Sequence, residues 1–170
     1  MAARRPVAER SLDDRGEFDA AYRGVSRSAF LLARQLGRST DEALDIVQDA
    51  ALRAWRYRST RKGEFRPWFL AIVYRQGQNQ IPSWFPLPAL WDQAAPDPIA
   101  TSLDPALAAA LRELPGRQRA ALWLRYCEDM AIGEVARIIG CSEPAAKQLL
   151  MRAREAMRQK LPSSPEEFER

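Results

Sequence analysis

Residues 132–154 read Ile132-Gly133-Glu134-Val135-Ala136-Arg137-Ile138-Ile139-Gly140-Cys141-Ser142-Glu143-Pro144-Ala145-Ala146-Lys147-Gln148-Leu149-Leu150-Met151-Arg152-Ala153-Arg154. The pattern predicts a helix-turn-helix. A short helix over 132–139 turns Val135, Ala136 and Ile139 inward. Gly140 supplies the positive φ of a tight turn, and Ser142 caps the next helix. Ala146 and Leu150 face back toward the first helix, and the small Ala136 lets the two cross closely. Between Glu143 and Lys160 stand five basic residues (Lys147, Arg152, Arg154, Arg158, Lys160) and two acidic ones (Glu143, Glu155). Such a helix suits phosphates and a major groove. The alternative is an ordinary solvated helix of a bundle.

Upstream of this unit, Asp104-Pro105 reads as N-cap and first turn of a helix with Leu107, Leu111 and Leu114 inward. Pro115-Gly116 breaks it, and a further helix is expected over 117–127. The final helix should run over 143–161. In the first half, Phe18, Tyr22, Val25, Ala29, Leu32 and Leu36 recur in steps of three and four, one face of a helix that Gly37 ends. Ser39-Thr40-Asp41-Glu42 is a capping box for a second helix with Ala43, Val47, Ala50, Ala51, Ala54 and Trp55 inward. A loop is expected over 57–63. A third helix begins near Glu64, with Pro67 in its first turn, and runs to about Gln80.

The stretch 81–104 differs in kind. It holds Pro82, Pro86, Pro88, Pro96 and Pro98, no glycine and no helical period, and reads as a semi-extended linker. Trp84, Phe85, Leu87, Leu90 and Trp91 make it apolar enough to be expected in a groove. No strand-type alternation occurs. The expected fold is all-α: two small helical domains, three helices and then four with a helix-turn-helix, joined by an extended linker. The expected divisions are an arm (1–15), a first domain (16–81), the linker (82–103), a second domain (104–161) and a tail (162–170).

Composition excludes several chemistries. The 170 residues contain no histidine, which removes histidine-based triads and most zinc sites. Carboxylates form no recognisable metal or acid–base pattern, and no glycine-rich phosphate loop occurs. Neither an enzyme nor a cofactor, metal or small-molecule substrate is therefore expected. Cys127 and Cys141 are expected as two buried reduced thiols. No apolar run is long enough to span a membrane. The net charge of +4 is compatible with nucleic acid but does not argue for it.

Two sets of residues carry a family resemblance. Leu114-Pro115, Arg125-Tyr126, Ile132 to Ala136, Gly140 to Glu143 and Lys147…Arg152-Ala153-Arg154 resemble region 4 of extracytoplasmic-function (ECF) bacterial sigma factors. Asp45 to Trp55 resembles region 2.2, and Phe65 to Val73 resembles regions 2.3 to 2.4. The resemblance implies a cytoplasmic bacterial protein that binds core RNA polymerase at its clamp and flap and reads promoter −10 and −35 elements. It also implies an anti-sigma factor that can hold the chain at the membrane.

By the resemblance and by helical spacing, Asp45, Gln48, Asp49, Leu52 and Arg56 form the polymerase-docking stripe. Arg58, Arg61, Lys62, Arg66, Arg75, Gln76, Asn79 and Gln80 are expected at −10 DNA, where cations and nearby rings suit single strands. Trp68 and Phe69 read as core before stacking platforms. Ser142, Glu143, Ala145, Lys147, Gln148, Leu149, Arg152 and Arg154 are expected at −35 DNA. Two departures stand out. The segment after Arg75 lacks the family's dense arginines, and Leu149 replaces an arginine, offering either a thymine-methyl contact or a protein-facing patch. A helix-turn-helix regulator or a sigma-like interaction module that does not initiate transcription is the alternative.

Overall fold

The computed structural model of the chain describes residues 15–79 and 104–161. The arm, the apolar proline-rich linker and the tail lie outside the described residues, as does Gln80. Among the described residues there are seven α-helices and no strand: α1 (Arg15–Gln35), α2 (Thr40–Arg56), α3 (Phe65–Asn79), α4 (Pro105–Arg112), α5 (Gly116–Leu122), α6 (Ile132–Ile139) and α7 (Glu143–Lys160).

Local chemistry fixes the helix ends. Gly37 takes φ 84° just past α1. Ser39 and Glu42 form the expected reciprocal capping box of α2. The Asp104 carboxylate accepts from the amides of Ala106 and Leu107 at the start of α4. Gly140 ends α6 in the left-handed region, and the Ser142 hydroxyl accepts from the Ala145 amide. One boundary differs from expectation. The helix foreseen over 117–127 is α-helical only to Leu122, and Trp123–Cys127 is a π-helical turn. Its wider ring is closed by the Glu128 amide on the Trp123 carbonyl. The turn ends at Asp129, a non-glycine residue at φ 51°.

Helices α1, α2 and α3 pack against one another, with α3 pressing an aromatic cluster onto α1. Phe69 is fully buried, edge-on to Tyr22 at 5.7 Å and stacked on Phe65 at 5.5 Å. Phe18 meets Trp55 at 5.2 Å and Phe65 at 5.6 Å. Phe69 is thus core, and Trp68 is half-buried against Phe65, as the sequence favoured. In α2, Ile46 joins the buried face, whereas Ala51 and Trp55 are only partly covered. In the second half, α5, α6 and α7 close a core of Leu124, Val135, Ile138, Leu150 and Ala153.

The two halves are not held apart. Helix α6 lies on α3, α5 abuts α1, and the buried apolar residues of both halves form one continuous cluster. One glycine, Gly116, permits the approach. Gly116 sits 3.5 Å from the Gln35 carbonyl oxygen and the Leu36 Cα, measured from where a Cβ would stand. Within the first half, a Cβ on Gly77 would come within 2.5 Å of Leu36 Cδ1, so α3 and the end of α1 also meet at a glycine. Gly77, which costs α3 helix propensity, is therefore where Leu36 fits. Despite this packing, Lys147 and Arg152 remain exposed, so the closed arrangement does not swallow the basic helix.

The thiols depart from expectation. Cys127 is exposed and Cys141 half-buried, and both are free. The π turn delivers Cys127 to the surface, while surrounding protein still raises its thiol pKa through desolvation.

Candidate polymerase and nucleic-acid interfaces

Three surfaces emerge. The first is the outer face of α2. Asp45, Gln48, Asp49, Leu52 and Arg56 are all exposed, and helical spacing puts them on one stripe. Leu52 is 69% exposed, and Leu44, absent from the sequence reading, is 45% exposed one turn before Gln48. Two large apolar side chains left in water among carboxylates mark a surface suited to a protein partner. Leu44 was legible only as the residue four before Gln48, and periodicity alone did not decide its face.

The second surface surrounds the loop before α3. Arg58 lies 3.9 Å over the Trp55 ring and donates to the Trp55 carbonyl. Arg61 donates to the Gly63 carbonyl, and Gly63 takes φ 79°. The loop is thus ordered by its own arginines, while Lys62 is exposed beside them. Arg66 and Arg75 are exposed on α3. Gln76 is not. It is 8% exposed, so the amide expected at DNA is covered in this arrangement. Asn79 ends α3.

The neighbouring half packs on this helix. Tyr74, next in turn on α3, is 3% exposed, and burial pushes its pKa up to about 12. Arg117 and Cys141, both from the second half, are the charged and ionisable groups that face it. The Gln78 amide donates to the Tyr74 hydroxyl at 2.6 Å. Across the same seam, Glu128 pairs with Arg66 and accepts from the Ser28 hydroxyl at 3.0 Å. Arg119, 4% exposed, donates to the Gln35 carbonyl at the end of α1 and to Arg112 at the end of α4. A guanidinium there meets the carbonyl ends of two helices at once.

The third surface is α7. Ser142, Glu143, Ala145, Lys147, Gln148, Arg152 and Arg154 are exposed. Gly133 on α6 leaves room for the Glu143 carboxylate, whose Oε1 lies 2.7 Å from where a Cβ would stand. Leu149 is half-buried against the core, so it acts mainly as packing and offers little apolar surface outward. Met151, which the sequence reading passed over, is 57% exposed one turn beyond Lys147. At the far end of the helix, Arg158 pairs with Glu155 and Lys160 with Glu113. Among the described residues, the exposed positive charge of α7 without an ion-pair partner therefore lies before that end, at Lys147, Arg152 and Arg154.

All-α among the described residues, with a capped, basic second helix in a helix-turn-helix, the fold has the architecture of a candidate nucleic-acid binder. Comparisons with known proteins give the family. The Sigma-70 region 2 family model matches residues 21–81, and the Sigma-70, region 4 model matches residues 105–157. The chain is 34% identical to the ECF RNA polymerase sigma factor SigJ of Mycobacterium tuberculosis over 80% of this chain and 48% of that protein. It is 30% identical to SigM of the same species over 83% of this chain and 75% of that protein. The chain belongs to the ECF RNA polymerase sigma factor family. It spans about half the length of its relatives SigJ and SigG, 48% and 52% respectively.

Solved structures agree on the fold. The M. tuberculosis SigJ crystal structure matches with a TM-score of 0.53 at 31% identity, covering 84% of this chain and 52% of that one. The sigma factor RpoE of Bartonella quintana, solved with the anti-sigma factor NepR, matches with a TM-score of 0.66 at 22% identity, covering 87% and 98%.

Proposed function

We propose that this chain binds core RNA polymerase and directs promoter-specific initiation, reading −35 DNA with α7 and −10 DNA with α3 and the loop before it. One observation supports this above the others. The apolar-acidic stripe of α2 and the basic face of α7 are both exposed in one chain, so protein and duplex DNA can be held at once. The division into a region 2 unit over 16–81 and a region 4 unit over 104–161 follows the same reading.

In this reading the work is binding, not covalent chemistry. Lys147, Arg152 and Arg154 neutralise phosphates, while Gln148 and Met151 meet base edges or thymine methyls. Arg58, Arg61, Lys62, Arg66 and Arg75 would line the path of the unpaired strand. Capture of its bases offsets an unstacking cost of a few kcal/mol per base. The polymerase supplies the catalysis.

No described helix is long and apolar enough to cross a membrane. The proposed partner, core RNA polymerase, is what places the chain in the bacterial cytoplasm in this reading. The RpoE structure was solved with the anti-sigma factor NepR, and the CnrH structure with the cytosolic domain of CnrY. By analogy this chain is expected to have one that can tether it to the membrane.

Run-off transcription with purified core polymerase and a genomic promoter library tests the proposal. A discrete set of start sites that disappears with Leu52→Asp supports it. Absence of any promoter-dependent transcript overturns it.

A further inference from the structure

We infer that the closed arrangement is a self-inhibited form of the chain, and that Glu128 is its clasp on the −10 surface. The inference rests on the promoter-reading function proposed above. It begins with the π turn. Trp123–Cys127 widens the helix, the chain reverses through Asp129, and Glu128 is set facing α1 and α3. Its carboxylate, with a side chain only 9% exposed, takes a hydroxyl from Ser28 and the guanidinium of Arg66.

Arg66 is one of the cations assigned to −10 phosphates. In the closed form an internal carboxylate holds it. On the same helix, Tyr74 and Gln76 are covered, with Arg117 and Cys141 of the second half beside Tyr74. Arg119 fastens the seam at the end of α1.

Closure is selective. The α2 stripe and the α7 face stay exposed, so polymerase and −35 DNA can engage the closed chain. Only −10 reading is restrained. The Arg66 side chain is still 49% exposed, so a phosphate can approach it and compete with Glu128. Docking that separates the halves would release Arg66 for the unpaired strand.

The test uses the full chain. Arg66→Glu places two carboxylates at the seam, and small-angle X-ray scattering should show expansion. Adding Glu128→Arg restores the opposite charges and should return the compact profile. Glu128→Gln keeps the side chain's size and removes its charge, and circular dichroism checks that helicity is kept. Its affinity for a fluorescent oligothymidylate should rise about fivefold, the scale a partly exposed ion pair sets. That gain should vanish when Arg66→Ala is added.

A scattering profile that Arg66→Glu leaves compact overturns the clasp, as does an unchanged affinity of Glu128→Gln. The scattering arm does not depend on promoter reading. A chain that opens and recloses as described, yet yields no promoter-dependent transcript, sinks the functional reading and leaves the clasp standing.

Discussion

Helices α3 and α7 both carry expected DNA contacts, and they are built in opposite ways. Helix α7 separates its duties by face. Ala146, Leu150, Ala153 and Met157 are buried, while Lys147, Gln148, Arg152 and Arg154 are exposed. Helix α3 has no such division. Phe69, Leu70, Val73, Tyr74 and Gln76 are all buried, and Arg66 and Arg75 are left at the margins. A helix covered on one side can read DNA without rearrangement. A helix covered on two sides must first be uncovered. The contrast explains why the proposed −35 contacts are open in this structure and part of the proposed −10 surface is not.

The strongest way to break this comparison is to cut into α3. Phe69→Ala should cost about 3–5 kcal/mol of stability, the range for emptying a buried aromatic site. Thermal or urea unfolding measures it. Met151→Ala, on the exposed face of α7, should leave stability within about 0.5 kcal/mol of the parent. Equal losses at both sites would refute the division of duties.

The seam over α3 should also respond to alkali. Tyr74 keeps its proton up to about 12 in the folded chain, against an ordinary value of 10.0. Because the folded-state pKa is the higher one, the stability it contributes is intact below pH 10 and lost as pH rises toward 12. At the upper end the loss approaches about 2–3 kcal/mol. Tyr74→Phe should flatten the pH 10–12 slope relative to the parent, as followed by urea midpoints at each pH. A slope unchanged by Tyr74→Phe would mean that Tyr74 is not buried at the seam in solution.

A smaller effect sharpens the other side. Lys147→Ala or Arg152→Ala should weaken binding to −35 duplex about tenfold at low salt. Each should lower the slope of log affinity against log salt by about one. Neither should alter the scattering profile, because neither side chain is at the seam. The smallest expected effect belongs to the cap. Ser142→Ala should cost about 1 kcal/mol and fray the start of α7, visible as faster amide exchange at Ala145.

Much of this was legible in the chain. Steps of three and four placed α1 and α2, and the Ser39–Glu42 box and the Ser142 cap set helix starts that the structure reproduces. The 132–139 helix and its Gly140 turn came directly from local chemistry, because capping and left-handed glycine are nearest-neighbour effects. The exposed stripe of α2 and the basic face of α7 followed from the same periodicity.

Other features were not legible. Leu149 and Leu44 are similar residues on helical surfaces, yet one is packed and the other open. Gln76 read as a polar reader and lies covered, and Cys127 read as buried and lies exposed. Each depends on what a different segment brings to that spot.

The sequence by itself determined seven helices, the Ser39, Asp104 and Ser142 caps, the order of the two halves and the exposed face of the basic residues on α7. These depend on contacts within a few residues, which periodicity records. Only the tertiary structure decided that the halves close on one another, that a π turn aims Glu128 at Arg66, and that Arg119 bonds a carbonyl 84 positions away. Long-range pairing leaves no periodic trace, because it depends on where folded pieces meet and on small residues such as Gly116 that let them.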